Sequence, residues 1–139
     1  MSAWFTREKE IPKQPSRREV QIGNHKIYLN NRGLIPAIIE CAAEKGSIVL
    51  NLVYLNLDAL EMSLSSGELY IFKRSKNRVV KVGEEKQKSV SIDTIMVSKN
   101  NRSLLITIPE ECCGLVGQHF IDALYPKKYE YRFEEREDS

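Results

Sequence analysis

Two short segments hold the cations of this chain that are best suited to bind phosphate groups. One is an Asn-rich turn with the residues Lys99, Asn100, Asn101 and Arg102. The other is a loop between two short apolar runs, with the residues Lys73, Arg74, Lys76 and Arg78. Cations at such spacing can each neutralise one phosphate, and the counterions that they release give affinity without sequence reading. A solvated loop that charge keeps soluble explains the second segment equally well.

Arg32 is a third candidate, because it follows an Asn pair just as Arg102 does. Arg beside Asn suits the reading of base edges in a major groove, since both side chains can make paired hydrogen bonds there. The alternative is ordinary turn chemistry, in which Asn adopts a positive φ and Arg is simply exposed.

The motifs of common catalytic sites do not occur in this chain. There is no GxSxG, no Gly-rich phosphate loop and no HExxH. The two histidines are His25 and His119, and neither lies near an obvious nucleophile. His119 follows Cys112 and Cys113, but a Cys on a short helix with a His in the next loop is usually structural. We therefore predict a protein without catalytic residues that is not an enzyme.

Three cysteines, Cys41, Cys112 and Cys113, give neither a zinc spacing nor a disulfide framework. Two of them are adjacent, and on a short helix they point in different directions. We expect small apolar fillers in a reducing compartment, with no metal site and no cofactor.

Composition is ordinary for a folded protein, with 42% hydrophobic and 29% charged residues. A net charge of +2 is too small to attract a polyanion in bulk, so any nucleic-acid site must concentrate charge locally. No apolar run is long enough to span a bilayer, and residues 1–20 are charged rather than signal-like. The expectation is a cytoplasmic protein without a membrane partner.

Hydrophobic periodicity divides the chain into short strands and few helices. In chain order it predicts a hairpin over residues 20–29, a helix over residues 36–45, a buried strand over residues 48–55, and two strands over residues 69–72 and 79–82. Residues 58–64 fit a helix and a strand equally well.

The stretch over residues 97–117 reads VSKNNRSLLITIPEECCGLVG and has three parts. The Asn-rich turn comes first, and the β-branched run Leu104–Ile108 then predicts a strand. Pro109 opens a short helix, with Glu110 and Glu111 at the positive end of its dipole. The turn is therefore expected at the tip of a strand-to-helix unit.

This order of parts resembles the swapped-hairpin family of AbrB-like and MazE-like DNA-binding proteins. The signature of that family is a short basic turn, a strand that ends in Ile-Pro, and a short helix closed by Gly. The resemblance covers about residues 97–124. Residues 26–50 resemble a degenerate second copy, because they share the Asn-Asn-Arg turn and a Pro before a short predicted helix.

The resemblance implies an α+β, β-rich fold with a small swapped-hairpin barrel unit, short helices and an N-terminal elaboration. The expected regions are a flexible basic, Pro-containing arm over residues 1–19, a β-α-β region over residues 20–89, the AbrB-like unit over residues 90–133, and a charged tail over residues 134–139. One such unit leaves apolar strand faces uncovered, so we expect a homodimer in which Leu105, Ile106 and Ile108 contact the partner or lie beside it. A true internal repeat would instead let a monomer close the barrel.

The function that the resemblance implies is DNA binding through basic turns, as a transcriptional regulator or a chromatin-associated factor. Double-stranded DNA is the expected partner, and the expected contacts are Lys99, Asn100, Asn101, Arg102, Arg32, Lys73, Arg74, Lys76 and Arg78. The alternative is a non-catalytic subunit that binds protein or RNA in a larger assembly, which includes the binding of a toxin by an antitoxin.

Overall fold

The computed structural model describes residues 18–44 and 46–125. Within them the chain forms β1 (Arg18–Ile22), β2 (His25–Leu29), β3 (Ile35–Ala43), β4 (Gly46–Leu55), α1 (Leu57–Ser66), β5 (Tyr70–Lys73), β6 (Arg78–Lys81), β7 (Thr94–Val97), β8 (Leu104–Ile108) and α2 (Cys113–Val116). Single 3-10 turns lie at Glu84–Lys86 and Glu110–Cys112. The β-rich α+β class predicted from the sequence is confirmed. Most of the predicted arm, all of the charged tail and residues 126–133 lie outside the described residues, and the division into regions stays a prediction.

A mixed four-stranded sheet in the order β4–β3–β8–β7 forms the centre of the fold. Strand β3 runs antiparallel to β4 and parallel to β8, while β7 runs antiparallel to β8. Alternate residues of the two central strands are buried on one face: Ile35, Ala37, Ile39, Cys41, Leu104, Ile106 and Ile108. The hairpins β1–β2 and β5–β6 are separate two-stranded sheets. The described residues thus form an open sheet, and the predicted swapped-hairpin barrel is not seen among them.

The helix predicted over residues 36–45 is wrong, because β3 occupies this stretch. Its apolar residues fit a helical face, but they also alternate along a strand, as Ile35, Ala37, Ile39 and Cys41 do. The strand prevails because β4 and β8 pair with both of its edges and satisfy its backbone groups. Gly46, which directly follows the predicted helix, begins β4.

Strand β4 confirms the strand predicted over residues 48–55 but not its burial. Leu50 and Leu55 lie in the core, whereas the exposed fractions of Ile48, Val49 and Leu52 are 43%, 44% and 44%. The reason is the position of β4 at the edge of the sheet, and within the described residues the face opposite the core is open at Ile38, Leu52 and Met96.

An apolar row crosses that open face and bears on the predicted homodimer. Leu52, Ile38, Leu105 and Met96 are cross-strand neighbours on β4, β3, β8 and β7. By contrast, Ile106 and Ile108 are fully buried in the chain's own core, so of the three β8 residues expected at or beside the partner only Leu105 lies on the open face. The homodimer itself stays a prediction.

The strand and short helix around Pro109 form as predicted. The two segments of the suggested internal repeat, however, do not fold alike. Strand β8 ends at Ile108, Pro109 caps the following 3-10 turn, and α2 continues from it. After the first Asn-Asn-Arg turn, the chain instead forms the nine-residue strand β3 and a hairpin with β4. Residues 117–125, the last part of the described chain, hold neither strand nor helix.

Helix α1 settles the choice that periodicity left open over residues 58–64. The Asn56 side chain accepts a hydrogen bond from the Ala59 N–H at 2.9 Å, which caps the first turn. Gly67 ends the helix with a φ of 77°, and its N–H donates to the Ser63 carbonyl at 2.9 Å. No helix in the described part of the chain is long and apolar enough to cross a membrane.

Ser63 joins α1 to the β5–β6 hairpin and gives a first testable prediction. Its hydroxyl accepts from the Tyr70 N–H at 3.0 Å and donates to the Tyr70 carbonyl at 3.3 Å, and the residue is only 1% exposed. Ser63→Ala leaves both backbone groups unpaired, so we expect the free energy of unfolding to fall by about 1–3 kcal/mol. Urea denaturation measures the change, with the exposed Ser65→Ala as the matched control. Equal stability of the two variants would contradict this role for Ser63.

Candidate functional site

A cleft with a volume of about 240 Å³ lies where the β5–β6 hairpin meets β4 and α2. Its polar lining consists of Lys73, Lys76, Lys81, Glu84, Glu85, Asn51 and His119. Its apolar lining consists of Ile39, Val53, Leu69, Ile71, Val80, Val82, Leu115 and Val116. We call it the lysine cleft, after Lys73, Lys76 and Lys81. An apolar base with convergent polar groups is the usual composition of a small-molecule site.

The β5–β6 hairpin places two of the lysines. Its strands pair Ile71 with Val80 and Lys73 with Arg78, as the sequence predicts for two strands joined by a basic loop. Ile71 and Lys73 are two residues apart on one strand, so both point to the same face and line the cleft. A tight turn follows, in which the Lys76 N–H donates to the Lys73 carbonyl at 3.1 Å. Lys76 is thereby held beside Lys73.

Some charged residues at the cleft are in ion pairs, and others are not. The Lys81 ammonium lies 3.6 Å from a Glu68 carboxylate oxygen, and the Arg78 guanidinium lies 3.8 Å from Glu84. Within residues 18–44 and 46–125, the salt bridges include neither Lys73 nor Lys76. These two exposed lysines are therefore the cations that an anionic ligand meets at the least cost in broken contacts.

The turn that carries Glu84 and Glu85 requires glycine at its start. Gly83 has a φ of 92°, and a Cβ at this position would lie 2.9 Å from the Lys88 carbonyl oxygen. The Lys88 N–H donates to the Gly83 carbonyl at 3.0 Å and closes the turn. This backbone fixes the two carboxylates at the rim of the cleft.

His119 is held at the cleft by two hydrogen bonds. Its backbone N–H donates to the Leu50 carbonyl of β4 at 2.7 Å, and its ring Nε2 lies 3.0 Å from the Val116 carbonyl oxygen. A carbonyl oxygen only accepts, so Nε2 carries the proton in this contact. In the neutral ring this hydrogen bond leaves Nδ1 as the acceptor.

The structure separates the loop cations predicted to bind nucleic acid. Lys73 and Lys76 line the cleft, whereas Arg78 pairs with Glu84. The Arg74 guanidinium lies over the Tyr54 ring at 4.4 Å from its centroid, which is a cation–π contact. Only part of the loop therefore faces a ligand cavity.

Hydrogen bonds from its asparagine side chains hold the Asn-rich turn in its conformation. Asn101 has a φ of 64°, and its side-chain amide donates to the Lys26 carbonyl at 2.6 Å. The Asn100 side-chain oxygen accepts from the Arg102 N–H at 3.1 Å, and Arg102 lies over the Tyr28 ring at 5.8 Å. Lys99 is exposed. These contacts attach the turn to β2, away from the residues that line the lysine cleft.

The turn that contains Arg32 is also held by an asparagine. The Asn30 side chain accepts a hydrogen bond from the backbone N–H of Arg32 at 2.8 Å and another from that of Leu34 at 3.0 Å. The Arg32 residue itself is exposed. These hydrogen bonds are ordinary turn chemistry, which is the alternative explanation of the Asn-Asn-Arg sequence.

Sequence reasoning missed five polar residues of the cleft: Asn51, Lys81, Glu84, Glu85 and His119. Hydrophobic periodicity assigns no element to residues 83–88, although a glycine before two carboxylates indicates a defined turn. His119 had no signal in its neighbourhood, because Leu50 and the β5–β6 hairpin are far from it in sequence.

The cysteines also differ from expectation. Cys41 of β3 and Cys113 of α2 form a disulfide with a Cα–Cα distance of 5.8 Å, while Cys112 is a buried free thiol. The expectation of three apolar fillers is therefore wrong for two of them. In the part of the chain that the structure describes, no three His, Cys, Asp or Glu side chains are grouped to hold a metal ion.

A second cavity of about 400 Å³ is less suited to polar chemistry. Its lining is apolar apart from one histidine: Ile22, His25, Ile27, Leu60, Leu64, Ile95, Met96, Val97 and Leu104. A cavity without convergent polar groups cannot orient a charged substrate, so the lysine cleft is the candidate site.

Several curated proteins are similar to this chain in sequence, although no protein-family model matches it. The bifunctional histidine biosynthesis protein HisIE of Caldanaerobacter subterraneus is 31% identical over 83 residues, which is 60% of this chain and 40% of that protein. The protein of the same name from Campylobacter jejuni is 40% identical over 73 residues, 52% of this chain and 34% of that protein. The phosphoribosyl-AMP cyclohydrolase of Methanospirillum hungatei is 29% identical over 91 residues, 63% of this chain and 68% of that enzyme. The chain thus spans two fifths or less of the two bifunctional relatives.

These relatives correct several predictions. The resemblance to AbrB-like and MazE-like proteins is wrong, and with it the predicted DNA-binding regulator and its partner, double-stranded DNA. The prediction that the chain is not an enzyme is also wrong, as is the alternative of a non-catalytic subunit that binds protein or RNA, since the relatives are metabolic enzymes. A turn, a strand and a short helix after Pro occur in many folds, so that pattern did not identify a family. In sequence the chain is similar to phosphoribosyl-AMP cyclohydrolases and to bifunctional proteins of histidine biosynthesis.

Proposed function

We propose that this chain binds phosphoribosyl-AMP, or a nucleotide of the same class, in the lysine cleft and opens a ring of it by hydrolysis. The observation that carries the proposal is the convergence of Lys73, Lys76 and His119 on one cleft, in a chain similar to phosphoribosyl-AMP cyclohydrolases. The relatives' names supply the substrate and the reaction class, and the cleft supplies groups that suit both.

The cations of the cleft suit the phosphate groups of such a nucleotide. Lys73 and Lys76 lie beside one another on the β5–β6 hairpin, and each ammonium offers three hydrogen-bond donors. A charge-assisted hydrogen bond to phosphate is about twice as strong as a neutral one. Lys81 is held by Glu68 at the same cleft and adds positive charge without having to reorganise. The apolar lining, with Ile71 and Val80, suits the base of the nucleotide.

His119 suits the hydrolytic step. Ring opening by water requires a base that takes a proton from the attacking water molecule. The Nε2 proton of His119 is engaged with the Val116 carbonyl, so Nδ1 is the atom that can accept that proton. The backbone hydrogen bond to Leu50 fixes the residue relative to β4. Glu85 is at the same rim and offers a carboxylate for the same substrate.

A direct assay tests the proposal. The purified chain is incubated with phosphoribosyl-AMP, with and without added Mg²⁺, which often accompanies phosphate groups. Ring opening is followed by ultraviolet absorbance, and affinity is measured by calorimetry, with AMP for comparison. We expect turnover of phosphoribosyl-AMP and weaker binding of AMP, which lacks the additional phosphoribosyl group. Binding without turnover would contradict the hydrolytic step, and the absence of both would contradict the site.

A further inference from the structure

Asn51 interrupts an otherwise apolar strand and lines the lysine cleft. Strand β4 reads GSIVLNLVYL, in which Asn51 is the one polar residue between Ser47 and Tyr54. Asn is among the residues least suited to strands, so folding alone gives no reason for it. Asn51 and Val53 are two residues apart and point to the same face, where both line the cleft. A residue unfavourable to its strand that lines a cavity indicates a role in what the cavity binds.

A β-bulge lies directly before Asn51. The register of β3 and β4 shifts between Ile39 and Glu40, so that Leu50 is an extra residue in β4. Bulges of this kind often occur beside active sites, where they aim a side chain. Asn51 is the cross-strand partner of Ile39, which is fully buried and belongs to the apolar lining of the cleft. The amide of Asn51 therefore lies next to the apolar lining, where the adenine ring of a nucleotide is expected.

A hydrogen bond at the edge of β4 sets the orientation of the Asn51 amide. Its Oδ1 accepts from the Leu52 N–H at 2.8 Å. A backbone N–H only donates, so the atom that faces it is the oxygen, and the NH2 group is the other arm of the amide. Among the hydrogen bonds within residues 18–44 and 46–125, none comes from this NH2 group. Its two donors and the second lone pair of Oδ1 are thus available to a ligand.

We propose that Asn51 selects the nucleotide by paired hydrogen bonds to the N7 and 6-amino edge of adenine. The proposal rests on the function proposed above. A side-chain amide offers a donor and an acceptor at the spacing of this edge, so Asn can pair with adenine through both. Hypoxanthine has an oxygen in place of the 6-amino group, so it offers no donor to Oδ1. His119 is attached to Leu50, the residue before Asn51, so an adenine ring held by Asn51 lies beside the proposed general base.

Titration of the full chain with AMP and with inosine monophosphate tests this role, because the 6-amino group of adenine is replaced by oxygen in the second nucleotide. The native chain, Asn51→Leu and the control Thr94→Leu are titrated to millimolar nucleotide, and amide shifts are followed by NMR. Leucine completes the apolar run of β4, and the exposed Leu52 N–H can bond to water instead, so Asn51→Leu should fold as well as the native chain. Thr94 is exposed on β7, the other edge strand, and does not line the cleft. The readout is the ratio of the two affinities, since a general loss of structure would lower both.

We expect the native chain and Thr94→Leu to bind AMP about tenfold more tightly than inosine monophosphate, within the usual discrimination by a paired contact. Asn51→Leu should bind both nucleotides with the affinity that the native chain has for inosine monophosphate. Equal affinities in the native chain, a preference for AMP that survives in Asn51→Leu, or binding of phosphoribosyl-AMP without binding of AMP would overturn the role of Asn51 and leave the nucleotide site intact. If the native chain binds none of the three nucleotides, the proposed function fails together with the role of Asn51.

Discussion

Reversing the charge of both Lys73 and Lys76 to Glu is expected to weaken the binding of phosphoribosyl-AMP by about 100-fold or more. Hydrogen bonds to charged groups contribute about 1.5–3 kcal/mol each, and the variant also adds two repulsive carboxylates. Both residues are exposed on the β5–β6 hairpin, so the free energy of unfolding should change little. Calorimetry at several salt concentrations measures the effect. Affinity of the native chain should fall as salt rises, because exposed charges are screened.

The matched control for this double variant is Lys88→Glu with Lys99→Glu. Both residues are exposed and neither lines the lysine cleft, while the change in net charge is the same. The control should bind nearly as well as the native chain. Equal losses in the two double variants would show that overall charge attracts the nucleotide, and the lysine cleft would lose its role.

Replacing His119 by Gln is expected to lower the turnover of phosphoribosyl-AMP by about 10²–10⁴-fold, the usual contribution of a general base. The Gln amide nitrogen stands near the position of the imidazole Nε2 and can donate a hydrogen bond to the Val116 carbonyl, but the amide cannot take a proton from water at neutral pH. Binding of the nucleotide should therefore change far less than turnover. Steady-state kinetics separate the two, since loss of a base lowers kcat and leaves KM nearly unchanged.

His25→Gln is the control, because His25 is the other histidine of the chain and does not line the lysine cleft. It should retain native turnover. If His119→Gln raises KM while kcat is preserved, His119 binds the substrate but is not the base. A variant with native kinetics would remove His119 from the site altogether.

The sequence predicted elements whose signals are local. Strand β8 and the short helix after Pro109 follow from a β-branched run and a proline with two carboxylates, all within nine residues of one another. The β5–β6 hairpin likewise follows from two apolar runs around a basic loop. In each case a contiguous segment contains the residues that determine its conformation.

Elements that depend on distant partners were predicted less well. The apolar residues of β3 suit a helix as well as a strand, and only pairing with β4 and β8 decides between them. The exposure of β4 could not be foreseen either, because it follows from the position of this strand at the edge of the sheet.

The residues of the candidate site also divide into those with a local sequence signal and those placed by contacts with distant residues. Lys73 and Lys76 are neighbours in sequence, so the loop alone predicted that they bind anionic groups, which stays a prediction. His119 lines the same cleft, and its backbone is attached to Leu50 on β4, a contact between residues far apart in the chain. The two Asn-Asn-Arg turns were interpreted as DNA contacts although their sequence has a local explanation. Their asparagines make the hydrogen bonds that hold the turns.

The central claim is that the lysine cleft holds a nucleotide, and titration of the ¹⁵N-labelled chain with phosphoribosyl-AMP tests it most directly. At 16.0 kDa the chain is suitable for amide-resolved NMR. The lysine cleft predicts that the largest shifts occur at the amides of Lys73, Lys76, Gly83, Glu85 and His119, with little change at Lys99 and Arg102. Shifts centred on the Asn-rich turn, or no shifts at millimolar nucleotide, would contradict the account.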